Sequence, residues 1–374
     1  IDAAKHVDRF VLDYFDRAVY RSSPRPLLDG STRHVFSYSE VFADDTDTLL
    51  SHVKKSIDPE DVGRIGGNRD VLDFSLFFAL RDNLDSTGTA LAWQHIRDAS
   101  VDAADDGLHN GSAGVMFVQS HDELGPGELS NVAHAYVLMH PGNAVVYFNG
   151  RQFGEHRDFP KPGRGDALGG VYGGALARLV AIRNTHGRGD YRERWIDGEG
   201  LFAYERAGSA LVGLSNRGDG GFDQRDVQVE LAPGTLLVEL TGNASDTSID
   251  PLDDIPAVLT VSDQQTVGLR IPRNRNAEGD FHGSGYVVYG LATPQAPAGL
   301  ELVGADGVMA GAIPAANDVA NGQTRLSDVS VIHGDTFEVR LQTQEVRLLG
   351  SDELRDHSAD GDNALLKFPA QVLV

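Results

Sequence analysis

Three acidic residues stand where apolar, strand-like runs give way to polar chain. Asp2 follows Ile1, Glu40 follows Val35-Phe36-Ser37-Tyr38-Ser39, and Asp122 closes Val115-Met116-Phe117-Val118-Gln119-Ser120-His121-Asp122. Two carboxyl groups about 5 Å apart are what retaining glycoside cleavage needs, one as nucleophile and one as acid/base. A like-charged neighbour helps the acid/base partner hold its proton. A third carboxylate can stabilise the positive charge that develops on the sugar. Each residue alone also has a structural reading, since an Asp or Glu at a strand end often caps the next helix.

Such residues must be carried to one place. A continuous apolar run ending abruptly in functional groups reads as a buried parallel strand. In a (β/α)8 barrel the C-terminal ends of the strands form the active-site rim. Strand-like runs are expected at the start of the chain and over 32–42, 71–74, 115–118 and 144–150. Helical patterns follow them over 7–18, 44–53, 76–84, 132–139 and 175–184. The first helix has apolar residues at Val7, Phe10, Val11, Tyr14 and Phe15, and Pro24 and Pro26 stop it. Asp44, Asp45 and Asp47 open the second, as acids do at a helix N-terminus. Five strand–helix alternations predict an α/β fold with a parallel sheet, the second part of a TIM barrel. After Gly189 come short apolar runs punctuated by Gly, Asn, Asp and Pro, the pattern of an all-β sandwich, and then a further β segment. The expected domains are 1–190, 191–295 and 296–374, with Trp195 at the junction of the first two.

The chain has 374 residues and carries 55 acidic against 32 basic ones, a formal net charge of -23. Such a field repels nucleic acid and anionic lipid, and no stretch is long and apolar enough to suggest a membrane span. Neutral sugars remain compatible. With no cysteine, disulfides, thiol catalysis and Cys-based zinc sites are excluded. The opening at Ile1-Asp2, without Met or leader, suggests a start inside a longer protein, and an extracellular location is expected. A nucleotide-binding fold is disfavoured, because no Gly-rich loop joins a strand to a helix at the needed spacing.

Three stretches together resemble the α-amylase family of glycoside hydrolases. Ile1-Asp2-Ala3-Ala4-Lys5-His6-Val7 is similar to its nucleophile motif, Ser39-Glu40-Val41-Phe42 to its acid/base motif, and Phe117 to Asp122 to its third-carboxylate motif. Val71-Leu72-Asp73-Phe74 resembles the family's sixth strand, and His140-Pro141-Gly142 through Gly150 the stretch running into its eighth. The resemblance implies Asp2 as nucleophile, Glu40 as general acid/base and Asp122 as transition-state stabiliser. It further implies that His121 bonds the sugar at the cleavage site, and that Lys5 and His6 contact the sugar on the leaving-group side. Lys5 as a plain surface charge and His6 as a helix-start residue are the alternatives on physical grounds. The substrate implied is an α-glucan or maltooligosaccharide, cleaved by hydrolysis or passed to another sugar, as transglycosylases and branching enzymes do. A non-catalytic amylase-like binding protein is the alternative of another class. Structural calcium is implied, held mostly by residues upstream of Ile1, and no organic cofactor is. Ser39 and Ser120 stand where the family usually has Gly and Asn, which bears on subsite detail. Five strands do not close an eight-stranded barrel, so the resemblance implies that the rest is supplied elsewhere. Asp356, Asp360 and Asp362 offer oxygen ligands for calcium or form an ordinary turn.

Overall fold

The structure is a computed structural model. It describes residues 1–22, 24–26, 32–33, 35–55, 68–84, 91–120, 122–123, 125–126, 129–147, 174–198, 200–274 and 283–291. It also describes the strands 302–304, 308–310, 323–324, 336–342, 346–348 and 364–369. The sequence positions 121, 148–150, 356, 360 and 362 therefore lie outside the described residues.

The first part is a row of short parallel segments met in chain order. Ile1 and Ser39 pair as parallel neighbours: the Ile1 nitrogen donates to Tyr38 O at 2.7 Å and Glu40 N to Ile1 O at 2.8 Å. Strand β1 (Ser37–Ser39) runs parallel to β2 (Asn68–Val71), with Tyr38 opposite Asp70. Leu72 bridges Val115 of β3 (Val115–Met116), which runs parallel to β4 (Asn143–Ala144). The strands are shorter than the apolar runs suggested. The row is not purely parallel either, because the start of β2 also pairs antiparallel with Lys54 and Lys55.

Helices follow the strands. They are α1 (Arg9–Ser22), α2 (Thr46–Leu50), α3 (Phe74–Asn83), α4 (Ala92–Asp98), α5 (Val101–Asp106), α6 (Ser130–Met139) and α7 (Ala175–His186). The sequence pattern missed α4 and α5. For α1 it found the period but not the direction. Phe10, Tyr14 and Phe15 are 70, 73 and 59 % exposed, while Leu12 and Asp16 face inward. Asp16 accepts from the buried Arg69 guanidinium at 2.5 Å and Asp13 from the same group at 2.8 Å, so ion pairing docks this helix on β2.

Alternate residues beyond β3 and β4 go to different cores, as extended chain requires. Met116, Val118, Ala144 and Val146 pack with α3, α4 and α6. Val115, Phe117, Val145 and Tyr147 pack in the cluster that includes Tyr38, Leu72 and Phe74. Gly111 and Gly142 set the approach of the loops leading into β3 and β4. A Cβ on Gly111 would lie 2.5 Å from the Gly142 Cα, and both glycines have positive φ.

The second part holds β5 (Tyr191–Ile196), β6 (Leu201–Arg206), β7 (Ala210–Ser215), β8 (Phe222–Gln228), β9 (Leu236–Glu239), β10 (Val258–Thr260), β11 (Thr266–Pro272) and β12 (Tyr286–Leu291). Six form an antiparallel sheet in the order β10-β9-β12-β7-β6-β5, and β8 pairs with β11 as a two-stranded ribbon. Phe202, Tyr204, Val212, Leu214, Tyr286 and Val288 face the helices. Leu201, Ala203, Leu211, Val287 and Tyr289 face the ribbon, with Leu269 and Ile271. Helices, sheet and ribbon are thus three layers.

Trp195 does not sit at the junction of the two parts. It packs on the core between sheet and ribbon, with the Arg225 guanidinium 3.4 Å from its ring centroid. The junction tryptophan is Trp93, which is fully buried, stacks on Tyr136 and Phe202, and donates to Gly200 O at 2.9 Å. The strands beyond residue 300 form two three-stranded antiparallel sheets.

Candidate active site

The parallel pairing of Ile1 with Ser39 carries Asp2 level with Glu40. Ala3 then turns the chain sharply, with φ 49 and ψ 34, a left-handed conformation that a non-glycine residue adopts at some cost. The turn aims the Ala3 amide at Glu40 Oε2, 3.4 Å away, and Ala4 N donates to Glu40 O at 2.9 Å. Ala4 to His6 form one turn of 3-10 helix, and Lys5 reaches back so that its Nζ donates to Phe42 O at 2.9 Å. The two motifs that carry Asp2 and Glu40 are therefore stitched together by main-chain and side-chain bonds. Asp2, Lys5 and His6 are exposed and Glu40 is half-buried.

Asp122 is exposed and follows the segment of β3. Its position is set by Ser120, whose buried hydroxyl accepts from Asp122 N at 3.2 Å and from Glu123 N at 2.9 Å. The Ser120 amide in turn donates to Glu123 O at 2.9 Å, closing the turn. The serine that replaces the expected asparagine thus has a defined task in the backbone. Each of the three carboxylates comes from the chain that follows a strand or strand-like segment of the parallel row, and so from one end of it. His121, expected beside Asp122, lies outside the described residues.

The sequence reading missed two tyrosines. Tyr147, just beyond β4, hydrogen-bonds the side chain of Tyr38 on β1. Burial and then that bond push the Tyr147 hydroxyl pKa up, and the negative charge of nearby Glu40 adds to the rise. Gln119 Nε2 donates to Tyr147 O at 2.7 Å. Period two in the run 144–147 was a usable signal, since it sends Tyr147 to the same side as Val145 and away from Val146.

Asp73, also at a strand end, has a structural role. It is buried, caps α3 by accepting from Leu76 N at 3.0 Å, and accepts from Val101 N at 3.0 Å at the start of α5. Burial outweighs these bonds and raises its pKa to about 6. No group of three or more histidine or acidic side chains among the described residues could hold a metal.

A cleft of about 630 Å³ opens elsewhere, between residues 107–110, Pro141-Gly142 and 189–194. It lies at the end where β3 and β4 begin, opposite the carboxylates. The charged groups around it are largely paired with one another: Arg192 with Asp190 and Glu230, Arg194 with Glu205, and Glu193 with Arg97.

No family model matches the sequence, and no match was found among curated proteins. Among solved structures, an Anoxybacillus α-amylase is similar at 14% identity and TM-score 0.47, covering 78% of this chain and 57% of that one. A variant of α-amylase I from Eisenia fetida in complex with maltohexaose is similar at 13% identity and TM-score 0.45, covering 76% of this chain and 59% of its own. AmyP in complex with maltotriose is similar at 10% identity and TM-score 0.49, with 79% of this chain and 64% of that one covered. This chain thus spans between 57% and 64% of the length of those three.

Proposed function

We propose that this chain is the part of an α-amylase-family glycoside hydrolase that bears its nucleophile and acid/base, acting on α-1,4-linked glucan with retention. The observation that carries the reading is the stitching of Asp2 to Glu40 through Ile1, Ala3 and Ala4. In the proposed mechanism the Asp2 carboxylate attacks the anomeric carbon while Glu40 gives its proton to the departing glycosidic oxygen. A covalent glycosyl ester on Asp2 results. Glu40, now ionised, takes a proton from water, whose oxygen attacks the same carbon and releases Asp2. Capture by a sugar hydroxyl instead of water would give transfer. Asp122 faces the positive charge on the sugar ring, and Lys5, His6 and His121 contact the sugars on either side. Motif order and spacing support the assignment of barrel and sandwich, with 1–190 and 191–295 as their extents.

The test is hydrolysis of a short maltooligosaccharide by the intact protein and two variants. Asp2→Asn and Glu40→Gln should each lower turnover by about three orders of magnitude or more while leaving the fold intact. A fluorinated sugar should label the parent protein and leave Asp2→Asn unlabelled. Near-normal turnover by Asp2→Asn would remove it as nucleophile. Sugar binding without any turnover in the parent protein would favour a non-catalytic binding protein.

A further inference from the structure

We propose that the cleft at the end of the row away from the carboxylates binds a small oxyanion, the carboxylate or phosphate group of a small metabolite, with Arg206 as its anchor. Arg206 lines the cleft, is 5 % exposed, and has no ion pair among the described residues. Its Nε donates to Gly189 O at 3.0 Å and its Nη1 to Met139 O at 2.7 Å. Such bonds to neutral carbonyls orient the group and leave its charge in place. Arg183 is held in the same way, donating to Leu138 O at 2.5 Å, to His140 O at 3.2 Å and to Gly142 O. Both guanidiniums thus sit on the carbonyls that end α6. A helix C-terminus carries about half a negative charge, so two guanidiniums leave an excess of about one and a half positive charges there.

The other charges of the cleft do not offset this excess. Arg192 pairs with Asp190 and Glu230, and Arg194 with the fully buried Glu205 and with Glu230. Glu193 is bound to Arg97 at 2.9 Å. Both acids that line the cleft, Asp190 and Glu193, are therefore engaged by other arginines. The polar groups behind the wall are unsatisfied as well. His140 is 2 % exposed, has no hydrogen-bond partner on either ring nitrogen, and meets the His109 and Tyr191 rings of the wall at 5.2 and 4.9 Å. The His109 Nδ1 is buried and unbonded too. A guanidinium kept from water is costly unless a negative group answers it. Its planar fork of donors matches a carboxylate or a phosphate. The volume of about 630 Å³ exceeds what such a head group fills, and Leu108, Pro141 and Tyr191 give the cleft an apolar side, so the ligand carries a small organic body.

The test is calorimetric titration of the intact protein with inorganic phosphate, a hexose phosphate and succinate at fixed ionic strength. At least one should bind with a Kd of about 1 mM or tighter, and the one that does identifies the head group. Arg206→Lys keeps the charge and loses the fork, so it should weaken binding by about tenfold or more. Leu108→Glu puts a negative charge on an exposed part of the wall, away from the core, and should weaken binding by about threefold or more. This second variant decides the matter if the first does not fold. Asp2→Asn, or saturation with a maltooligosaccharide, should leave anion binding as it is, because the carboxylates lie at the other end of the row. No binding by any of the three probes, or an equal response to sodium chloride, overturns the inference. So does unchanged affinity in Leu108→Glu. Displacement of the anion by the maltooligosaccharide would place it at the carboxylates and overturn the inference equally.

Discussion

Asp73 shows how one carboxylate can look catalytic in sequence and serve the fold. It stands at a strand end like Asp2 and Asp122, but its oxygens join the starts of α3 and α5. Its folded pKa of about 6 lies above the ordinary 3.8, so the native state holds this proton more tightly than the unfolded chain does. The stabilising contribution is therefore complete below about pH 3.8 and is lost as pH rises to about 6, a swing on the order of 3 kcal/mol. Asp73→Asn should remove that component. Urea unfolding midpoints of parent and variant, followed from pH 4 to 6, should change in parallel except for this falling term in the parent. If the difference between them is constant over the window, the buried ionised form carries no penalty and the assignment is wrong. Tyr147 is the opposite case, ordinary in sequence yet joined to the segment that ends in Asp122 through Gln119 and Phe117.

At the scale of elements, β3 and β4 are each only two residues long, so what leads into them must hold their register. The Gly111–Gly142 approach does this. Gly111→Ala should destabilise by about 2 kcal/mol or more, because the added carbon meets backbone that cannot swing aside. Gly107→Ala is the control. Gly107 has the same sign of φ, but a Cβ there meets nothing within 4 Å, so only conformational strain of about 1 kcal/mol is expected. Equal losses in the two variants would mean that the approach is not what matters.

Parts of this level were legible in the sequence. The runs 210–215 and 286–291 are short and apolar and are bounded by turn residues, and they form strands with those limits. Asp45 reads as a helix opener and caps α2 by accepting from Thr48 N at 2.7 Å. The helix 132–139 was found within two residues of its start, because its apolar content fits the wholly buried position it occupies. Other features were hidden for physical reasons. Edge strand β5 reads Tyr-Arg-Glu-Arg-Trp-Ile, and half-exposed polar strands carry little hydrophobic signal. The inward side of α1 is held by Asp16 and Arg69, partners 53 residues apart that no local period reveals. For the carboxylate site, the motifs gave the residues, while the left-handed turn at Ala3 that aims an amide at Glu40 needed coordinates.

Across the whole molecule, α6 joins the two parts. All ten of its residues are buried, between α7 and the face of the sheet that bears Phe202, Tyr204 and Val212. Its terminal carbonyls are capped from both sides: Arg183 of α7 donates to Leu138 O at 2.5 Å, and Arg206 of β6 to Met139 O at 2.7 Å. Burial lowers the Arg206 pKa to about 10, yet its bonds to Met139 and Gly189 carbonyls keep the cation in place. A shared core of this kind leaves neither part able to hide its apolar face alone. Residues 1–291 should accordingly unfold as one unit. The two tryptophans report on this separately, since Trp93 lies at the junction and Trp195 in the core behind the sheet. Trp195→Phe and Trp93→Phe each leave one probe, and the probe in each variant should follow loss of far-ultraviolet dichroism, with midpoints agreeing within about 10%. The strands past residue 300 pair only with one another among the described residues. Deleting 296–374 should therefore leave these midpoints, and turnover on a short maltooligosaccharide, largely unchanged. A Trp195 signal lost well before the dichroism would show that the ribbon side melts alone. A midpoint that drops on deletion would mean that the tail covers part of the sheet.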